Sequence, residues 1–303
     1  MQDQSIKRAA FAGSWYPGDP RECEDSIHKF LAAGSQDRNT GLSGTVVGGI
    51  VPHAGWVYSG GIACRVIAAL RPGNEADKSS APIDTILLFG AHMHPDAAPF
   101  TLARGAVETP FGEIRVDREL VKLTASYLEK SGLPIQSLSA EAFPDENTLE
   151  LQYPFIRYFF PDARIAVFGV PPSTAAAGVG EAAVDAALAL GRSVRIIGST
   201  DMTHYGPDFR FTSEGTGAPA VDWVRQENDR SAIRAMEEMD APGLVRQGLS
   251  HKNMCCPGAA AAAVAACKKM GAAKGFCLDY ATSYEKTRSS SFVGYCGLVY
   301  AVS

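Results

Sequence analysis

Three stretches of the chain share one pattern: an unbroken run of aliphatic and β-branched residues that stops at a histidine-bearing turn. Thr45–Val51 runs into Pro52-His53-Ala54-Gly55, and Thr85–Phe89 runs into Gly90-Ala91-His92-Met93-His94. Val194–Gly198 runs into Ser199-Thr200-Asp201-Met202-Thr203-His204. Short continuous apolar runs read as strands buried on both faces of a sheet. Open parallel sheets bind ligands just beyond the carboxyl ends of their strands. The pattern therefore predicts that the three turns converge at one rim of one sheet.

Between these runs the spacing changes to that of helices. Pro20 to Ala33 places Cys23, Ile27, Phe30 and Leu31 on one face, and Tyr58 to Gly61 leads into a helix from Ile62 to Leu70. Asp117 caps a helix that continues to Lys130 and buries Leu120, Leu123, Tyr127 and Leu128. A helix from Leu149 to Phe160 opens at Asp145–Thr148, with Pro154 kinking it or marking a frayed first turn. Further helices are expected over Ser173–Leu190, Val221–Met239 and Pro242–Gly248, and an Ala-rich one runs from Cys255-Cys-Pro-Gly258 to near Met270. Strands are expected at Ala106–Gly112 (with a turn), Arg164–Val170, Phe276–Thr282 and Ser291–Val302, and around Phe100 and Leu102. Phe11–Pro17 reads as an ordered aromatic loop; Gly34–Gly44 and Pro72–Pro82 read as polar surface loops. Strands alternating with helices predict an α/β fold, a single domain over residues 1–303 whose central, mostly parallel or mixed sheet is flanked by helices.

Composition narrows the class without naming a function. With 28 basic against 33 acidic residues the formal net charge is −5, which gives no electrostatic footprint for nucleic acid. No apolar run reaches the ~18 residues that span a bilayer, and Met1–Arg8 lacks the apolar core of a signal peptide. Seven cysteines in 303 residues do not suggest a disulfide framework. A cytoplasmic protein with reduced thiols is the simplest account.

The residues able to carry chemistry are His53, His92 or His94, Asp201, His204 and Cys255. Imidazole, carboxylate and thiolate together can hold Zn, Fe or Cu(I), and a thiolate favours the softer ions. His92 and His94 are two apart, so on extended backbone both side chains point the same way and either could serve. Cys255 and Cys256 precede Pro257, a residue favoured at the first helical position, and a helix N-terminus lowers a thiol's pKa. Cys64, Cys267, Cys277 and Cys296 read as small buried hydrophobes. Asp201 can orient a histidine, bind metal or cap its turn. Glu146 and Glu150 are four apart on one helix face, and Glu150 reads as solvated. No nucleophile elbow, P-loop or dinucleotide fingerprint is present; Gly48, Gly49, Gly60 and Gly61 have the wrong spacing.

Several segments, in order, resemble the Memo family: Ala12–Tyr16, Pro52–Gly55, Glu108–Gly112, Asp145–Glu150, Ser199–Gly206 and Met254–Gly258. The prokaryotic members are often called the B protein of the AmmeMemoRadiSam system. The family is similar in fold to class III, LigB-type, extradiol dioxygenases, which use non-haem iron. The resemblance implies a metal held by His53, the histidine of the second strand end and Cys255, with Asp201 and His204 alongside. His204 matches the acid/base histidine of the dioxygenases, whereas Cys255 stands where they use a glutamate ligand. Two departures matter. The family usually reads Gly-Pro-x-His at the second strand end, and here Gly90-Ala-His-Met-His94 flanks that spacing on both sides. The dioxygenases' Ser-Ala-His favours His92 as the ligand, with His94 in reserve. The family's Glu-His-Ser is replaced by Glu146-Asn147-Thr148, which puts the substrate pocket in question.

On this basis the expected function is an oxidoreductase in which Fe(II), or Cu(I), acts with dioxygen on an organic substrate, with His204 and Asp201 as the catalytic pair. The rival is a metal-binding or peptide-binding protein without turnover, since animal members of the family are known as phosphopeptide-binding adaptors. A zinc hydrolase ranks last for want of a glutamate base. The resemblance further implies a functional link to a radical-SAM protein and an AMMECR-type protein; neither nucleic acid nor membrane is expected as a partner.

Overall fold

The computed structural model describes residues 5–34, 44–72 and 82–302. The expected loops Gly34–Gly44 and Pro72–Pro82 therefore lie, apart from their ends, outside the described residues. The strands in chain order are β1 (Ile6–Lys7), β2 (Thr45–Val51), β3 (Thr85–Gly90), β4 (Phe100–Leu102), β5 (Ala106–Val107) and β6 (Ile114–Arg115). They continue as β7 (Gln136–Leu138), β8 (Arg164–Gly169), β9 (Val194–Ser199), β10 (His204–Tyr205), β11 (Gly275–Thr282) and β12 (Phe292–Val302). Nine of them form one mixed sheet in the order β10-β12-β2-β9-β3-β8-β4-β7, with β11 paired to β12; β1, β5 and β6 form a small separate sheet.

The centre of the large sheet is four parallel strands, β2, β9, β3 and β8. These are the continuous apolar runs, and they are buried almost end to end because helices cover both faces. The helices are α1 (Pro20–Ala33), α2 (Trp56–Ala69), α3 (Arg118–Lys130), α4 (Asn147–Glu150), α5 (Tyr153–Phe159) and α6 (Ala176–Ala189). After them come α7 (Ala218–Trp223), α8 (Asp229–Glu237), α9 (Ala241–His251), α10 (Pro257–Lys269) and α11 (Tyr284–Thr287). The glycine pair inside β2 shows how closely two helices approach it. A Cβ on Gly48 would strike Cys267 of α10, and one on Gly49 would strike Val66 of α2. Glycine within a strand commonly marks such an approach. The alanines of α10 let it lie buried from Pro257 to Cys267 between the sheet and α6. Among the described residues no helix is long and apolar enough to cross a membrane.

Several expected elements shift, each for a physical reason. Helix α2 begins at Trp56, six residues before Ile62, since Gly55 serves as its N-cap and the Tyr58–Gly61 stretch is already helical. The expected helix Leu149–Phe160 is two short helices, α4 and α5, with Pro154 in the first turn of the second. The expected helix Val221–Met239 is interrupted by a π-helical turn at Val224–Asn228. That extra residue per turn directs Asn228 and the following Asp229 inward together, and both are buried. Leu123 and Tyr127 are only half-buried, as is Cys277. Glu150 is the clearest correction: it is 4 % exposed, not solvated. Its carboxylate accepts hydrogen bonds from the Ala10 and Phe11 backbone N–H groups and from the Tyr16 hydroxyl.

The α6–α10 contact supplies a test of this packing. A Cβ on Gly180 would overlap the carbonyl oxygen of Ala262, whereas one on Gly178 meets only the end of the Leu133 side chain, at 3.3 Å. Gly180→Ala is expected to lower stability by about 1–3 kcal/mol through overpacking, despite alanine's better helix propensity. Gly178→Ala should cost nothing. Urea midpoints of both variants check this, and equal midpoints would contradict the close approach.

Candidate metal centre

Strand β9 lies between β2 and β3 and runs parallel to both, so all three carboxyl ends open on the same rim. His53, His92 and the Asp201–His204 turn follow those ends directly. The fourth contributor arrives from the other side. Cys255 precedes the N-cap of α10 and so lies at the positive end of that helix's dipole. The ring centroids of His53 and His92 are 5.1 Å apart, and Cys255 Sγ lies 3.1 Å from His53 Nε2. Ligand atoms of His53, His92, Cys255 and Cys256 all fall within 4.8 Å of one another.

Each imidazole is turned by a partner on its other nitrogen. His53 Nδ1 is 3.0 Å from Ser199 Oγ, and His92 Nδ1 is 3.0 Å from Glu146 Oε1. Both Nε2 atoms are thereby left for the centre, the arrangement that metal-ligating histidines commonly show. Glu146 also accepts the His92 backbone N–H, at 3.2 Å. Neither Ser199 nor Glu146 was singled out as a site residue by sequence reasoning. Ser199 closes its strand immediately before the histidine turn, and this was the only local signal available.

Asp201 ties the site together. One carboxylate oxygen accepts the His53 backbone N–H at 2.7 Å, and the other lies 4.0 Å from Nε2 of both His53 and His204. Its own N–H donates to Cys255 Sγ at 3.2 Å, and its carbonyl accepts the Cys255 N–H. His204 packs against Phe209 with ring centroids 5.0 Å apart. Its buried Nε2 has no hydrogen-bond partner.

His94, the reserve ligand, stands outside the group. Ala91, immediately before His92, adopts a left-handed backbone (φ 80°). Its N–H is held by Thr148 Oγ1 at 2.7 Å. His94 points outward with its side chain 76 % exposed, beside Asp96. Such strained positions cluster at functional sites.

Charge in the cluster is distributed unevenly. Burial alone would push the Cys255 thiol up, but the Cys256 thiol donating to it and the neighbouring His53 and His204 imidazoles hold it well below the usual range. Burial works against an imidazolium at His92, yet hydrogen bonds to Cys255 and Glu146 raise its pKa to about 10. His53 is raised in the same way by Cys255 and Asp201. Burial raises the Asp201 carboxyl and outweighs the pull of His53. The shifts run in opposite senses, the thiol down and the two imidazoles up, because each favours the charged form of the other. The donor set also fits a transition metal. Bonds of about 2.0–2.3 Å to nitrogen and sulfur place tetrahedral ligands ~3.5 Å apart, within the spacing seen here.

Beside the site runs an open groove of about 980 Å³. Its wall includes Ala54 and Gly55, which follow His53, and Phe209, which covers His204. Trp15, Val57, Tyr58 and Phe209, four of the large exposed hydrophobic residues, all line it.

Residues 7–299 match the family model described as Memo-like protein. A MEMO1 family protein of Thermococcus onnurineus is 32 % identical, the alignment covering 97 % of this chain and 99 % of that one. A MEMO1 family protein of Methanopyrus kandleri is 31 % identical, over 96 % of this chain and 97 % of its own. A solved structure of an uncharacterized Escherichia coli K12 protein aligns at a TM-score of 0.44 with 12 % identity, over 72 % of this chain and 86 % of that one.

The Glu146–His92 pair yields a measurable consequence. In metal-free protein, Glu146→Gln should lower the His92 pKa by about one pH unit or more, because an adjacent carboxylate favours the charged imidazole by that order. Imidazole proton resonances followed by NMR through a pH titration report it. A His92 midpoint unchanged from about 10 would remove Glu146 as the group that orients this ring.

Proposed function

The chain belongs to the Memo family, and we propose that it is a metal-dependent protein whose ligands are His53 Nε2, His92 Nε2 and Cys255 Sγ. One observation carries this reading: two imidazole nitrogens, each freed by a partner on the opposite ring atom, meet one low-pKa thiol within 4.8 Å. Two neutral nitrogens and a thiolate suit Fe(II) foremost, with Cu(I) and Zn as competitors. Three protein ligands leave coordination positions open.

The activity that we infer is oxidation of an organic substrate with dioxygen. When bound, iron would supply electrons for that reaction. The chain's own residues do the rest. His204 Nε2, buried and unpartnered, takes a proton from a substrate hydroxyl or returns one. Asp201, 4.0 Å away, stabilises the resulting imidazolium and keeps the His53 loop in place. His53 and Asp201 are 1 % and 4 % exposed, so water is kept from the inner side while His92, at the mouth, borders solvent. Substrate enters from the groove, where Phe209 covers one face of His204.

A second reading, binding of a peptide or other partner without turnover, is favoured by the groove itself. Four large hydrophobic side chains exposed along one cleft suit an extended apolar ligand.

Metal titration tests the ligand set. Cys255→Ser should weaken anaerobic Fe(II) or Cu(I) binding by about 100-fold or more, in the range of losing a strong ligand or its support, while Cys256→Ser should change it little. Equal affinities in both variants would sink the assignment, and the reverse order would move the ligand to Cys256.

The His204 variant separates catalyst from carrier. His204→Ala should keep most of its bound iron but lose ~10²–10⁴-fold in oxygen consumption with the best available substrate, the usual contribution of a positioned acid–base group. Full loss of metal would make His204 a ligand. Metal retained with turnover unchanged would make it a bystander, and wild-type protein that binds metal but consumes no oxygen with any substrate would favour the second reading.

A further inference from the structure

We propose that Cys277 and Cys296 form a peroxide-oxidisable dithiol, a modification site separate from the metal centre. The two residues lie on neighbouring antiparallel strands, β11 and β12. The register pairs Cys277 with Leu298 and Tyr280 with Cys296. Residues two apart on a strand share a face, so Cys277 and Cys296 point to the same side on a diagonal. Diagonal neighbours are normally too far apart to bond. Here the ladder is irregular between Cys277 and Asp279, and a bulge increases local twist and bends its strand. The two sulfurs end 3.5 Å apart.

The pair is chemically unequal in a useful way. Cys296 is fully buried, whereas Cys277 is partly open to solvent. The Cys296 thiol donating to it lowers the Cys277 pKa, with Arg230 helping against burial and Glu237. Burial and the neighbouring Cys277 push the Cys296 thiol well up. Cys277 is therefore the attacking thiolate and Cys296 the resolving thiol. A competing contact from Cys277 Sγ to the Asp279 carbonyl is longer, at 3.6 Å.

The reaction needs one hydroperoxide as oxidant. The Cys277 thiolate attacks a peroxide oxygen and the O–O bond breaks; with hydrogen peroxide this leaves a sulfenic acid and hydroxide, which takes up the proton the Cys277 thiol had released and becomes one water. Cys296 sulfur then attacks Cys277 sulfur; the S–S bond forms, the S–O bond breaks, and the oxygen departs as a second water carrying the Cys296 proton. Two thiols and one hydrogen peroxide become one disulfide and two waters. A small dithiol restores the pair by exchange.

The location gives the bond a reach beyond the two strands. Gly294, two residues from Cys296, donates its N–H to the Thr203 carbonyl and accepts the Met202 N–H. Tyr280 on β11 donates to Asp229 at 2.7 Å, and Asp229 in turn accepts the Thr203 N–H and hydroxyl. Closing the disulfide tethers the two strands from which the turn leading to His204 is held.

Full-length reduced protein, kept metal-free with chelator, is exposed to a small molar excess of hydrogen peroxide, alkylated, digested and mapped by mass spectrometry. The expected result is a linked Cys277–Cys296 peptide, loss of these two residues from the alkylatable thiols whatever happens at Cys255, and full reversal by dithiothreitol. Cys296→Ser, or Cys296→Ala should the first variant fold poorly, leaves Cys277 as a sulfenic acid trapped by dimedone. The proposal is overturned if both residues stay alkylatable in wild type while Cys255 is oxidised. It is equally overturned if Cys277 links to another cysteine, or accumulates as sulfenic acid with Cys296 intact.

Discussion

A carboxylate buried where three strand ends meet is costly, because taking an ion out of water carries a penalty of several kcal/mol unless its oxygens are satisfied. Asp201 meets that penalty by making its carboxyl and its backbone serve different neighbours at once. Its side chain holds the His53 loop, its amide and carbonyl hold Cys255, and its second oxygen faces His53 and His204 together. Four elements, β2, β9, β10 and the entrance to α10, thus take their mutual positions from one residue. A side-chain substitution here would free the His53 loop and remove the charge facing His53 and His204, while the backbone contacts to Cys255 would persist.

The parts of the site legible in the sequence were those written locally. A strand and the turn after it are neighbours in the chain, so apolar run, turn and histidine could be read three times over, and the rim follows from the parallel order β2-β9-β3. The late thiol before Pro257 was legible for the same reason, since helix entry is also a local signal. The choice between His92 and His94 was not written locally, since both follow the same strand end; only the resemblance favoured His92, which lies beside Glu146 while His94 stands out in solvent beside Asp96. Glu150 was misread because helical spacing reports which face a residue shares and says nothing of what covers that face. Its clients, Ala10, Phe11 and Tyr16, are more than 130 residues away in the chain. The π-helical turn at Val224–Asn228 was likewise hidden, since the polar run from Arg225 to Ser231 carries no apolar period to register an extra residue.

The short helix α4 and its N-cap link the candidate metal centre to the groove more directly than any longer element does. Glu146 orients His92, the Asn147 side-chain amide donates to the His53 carbonyl, and Thr148 Oγ1 accepts the Ala91 N–H. Two residues on, Glu150 holds the Phe11 end of the aromatic loop whose Trp15 and Tyr16 line the groove. Trp15 also accepts the N–H of Trp56, fixing that loop against the start of α2. A single helical turn thus grips both histidine loops on one side and a groove wall on the other.

This placement bears on the substitution of Asn147 for the family's histidine. An imidazole at this position would offer a titratable group beside the His53 loop, whereas the amide supplies one neutral donor to a backbone carbonyl. The side chains facing the centre then differ in proton inventory: His204 remains the one imidazole there with a buried, unpartnered nitrogen. On the proposed reading, a substrate coming from the groove would meet Phe209 and then His204, with no titratable side chain at position 147. On that same reading, a suitable substrate would present an apolar body to the groove and one exchangeable proton to His204, a narrower demand than the volume of the cleft alone would set.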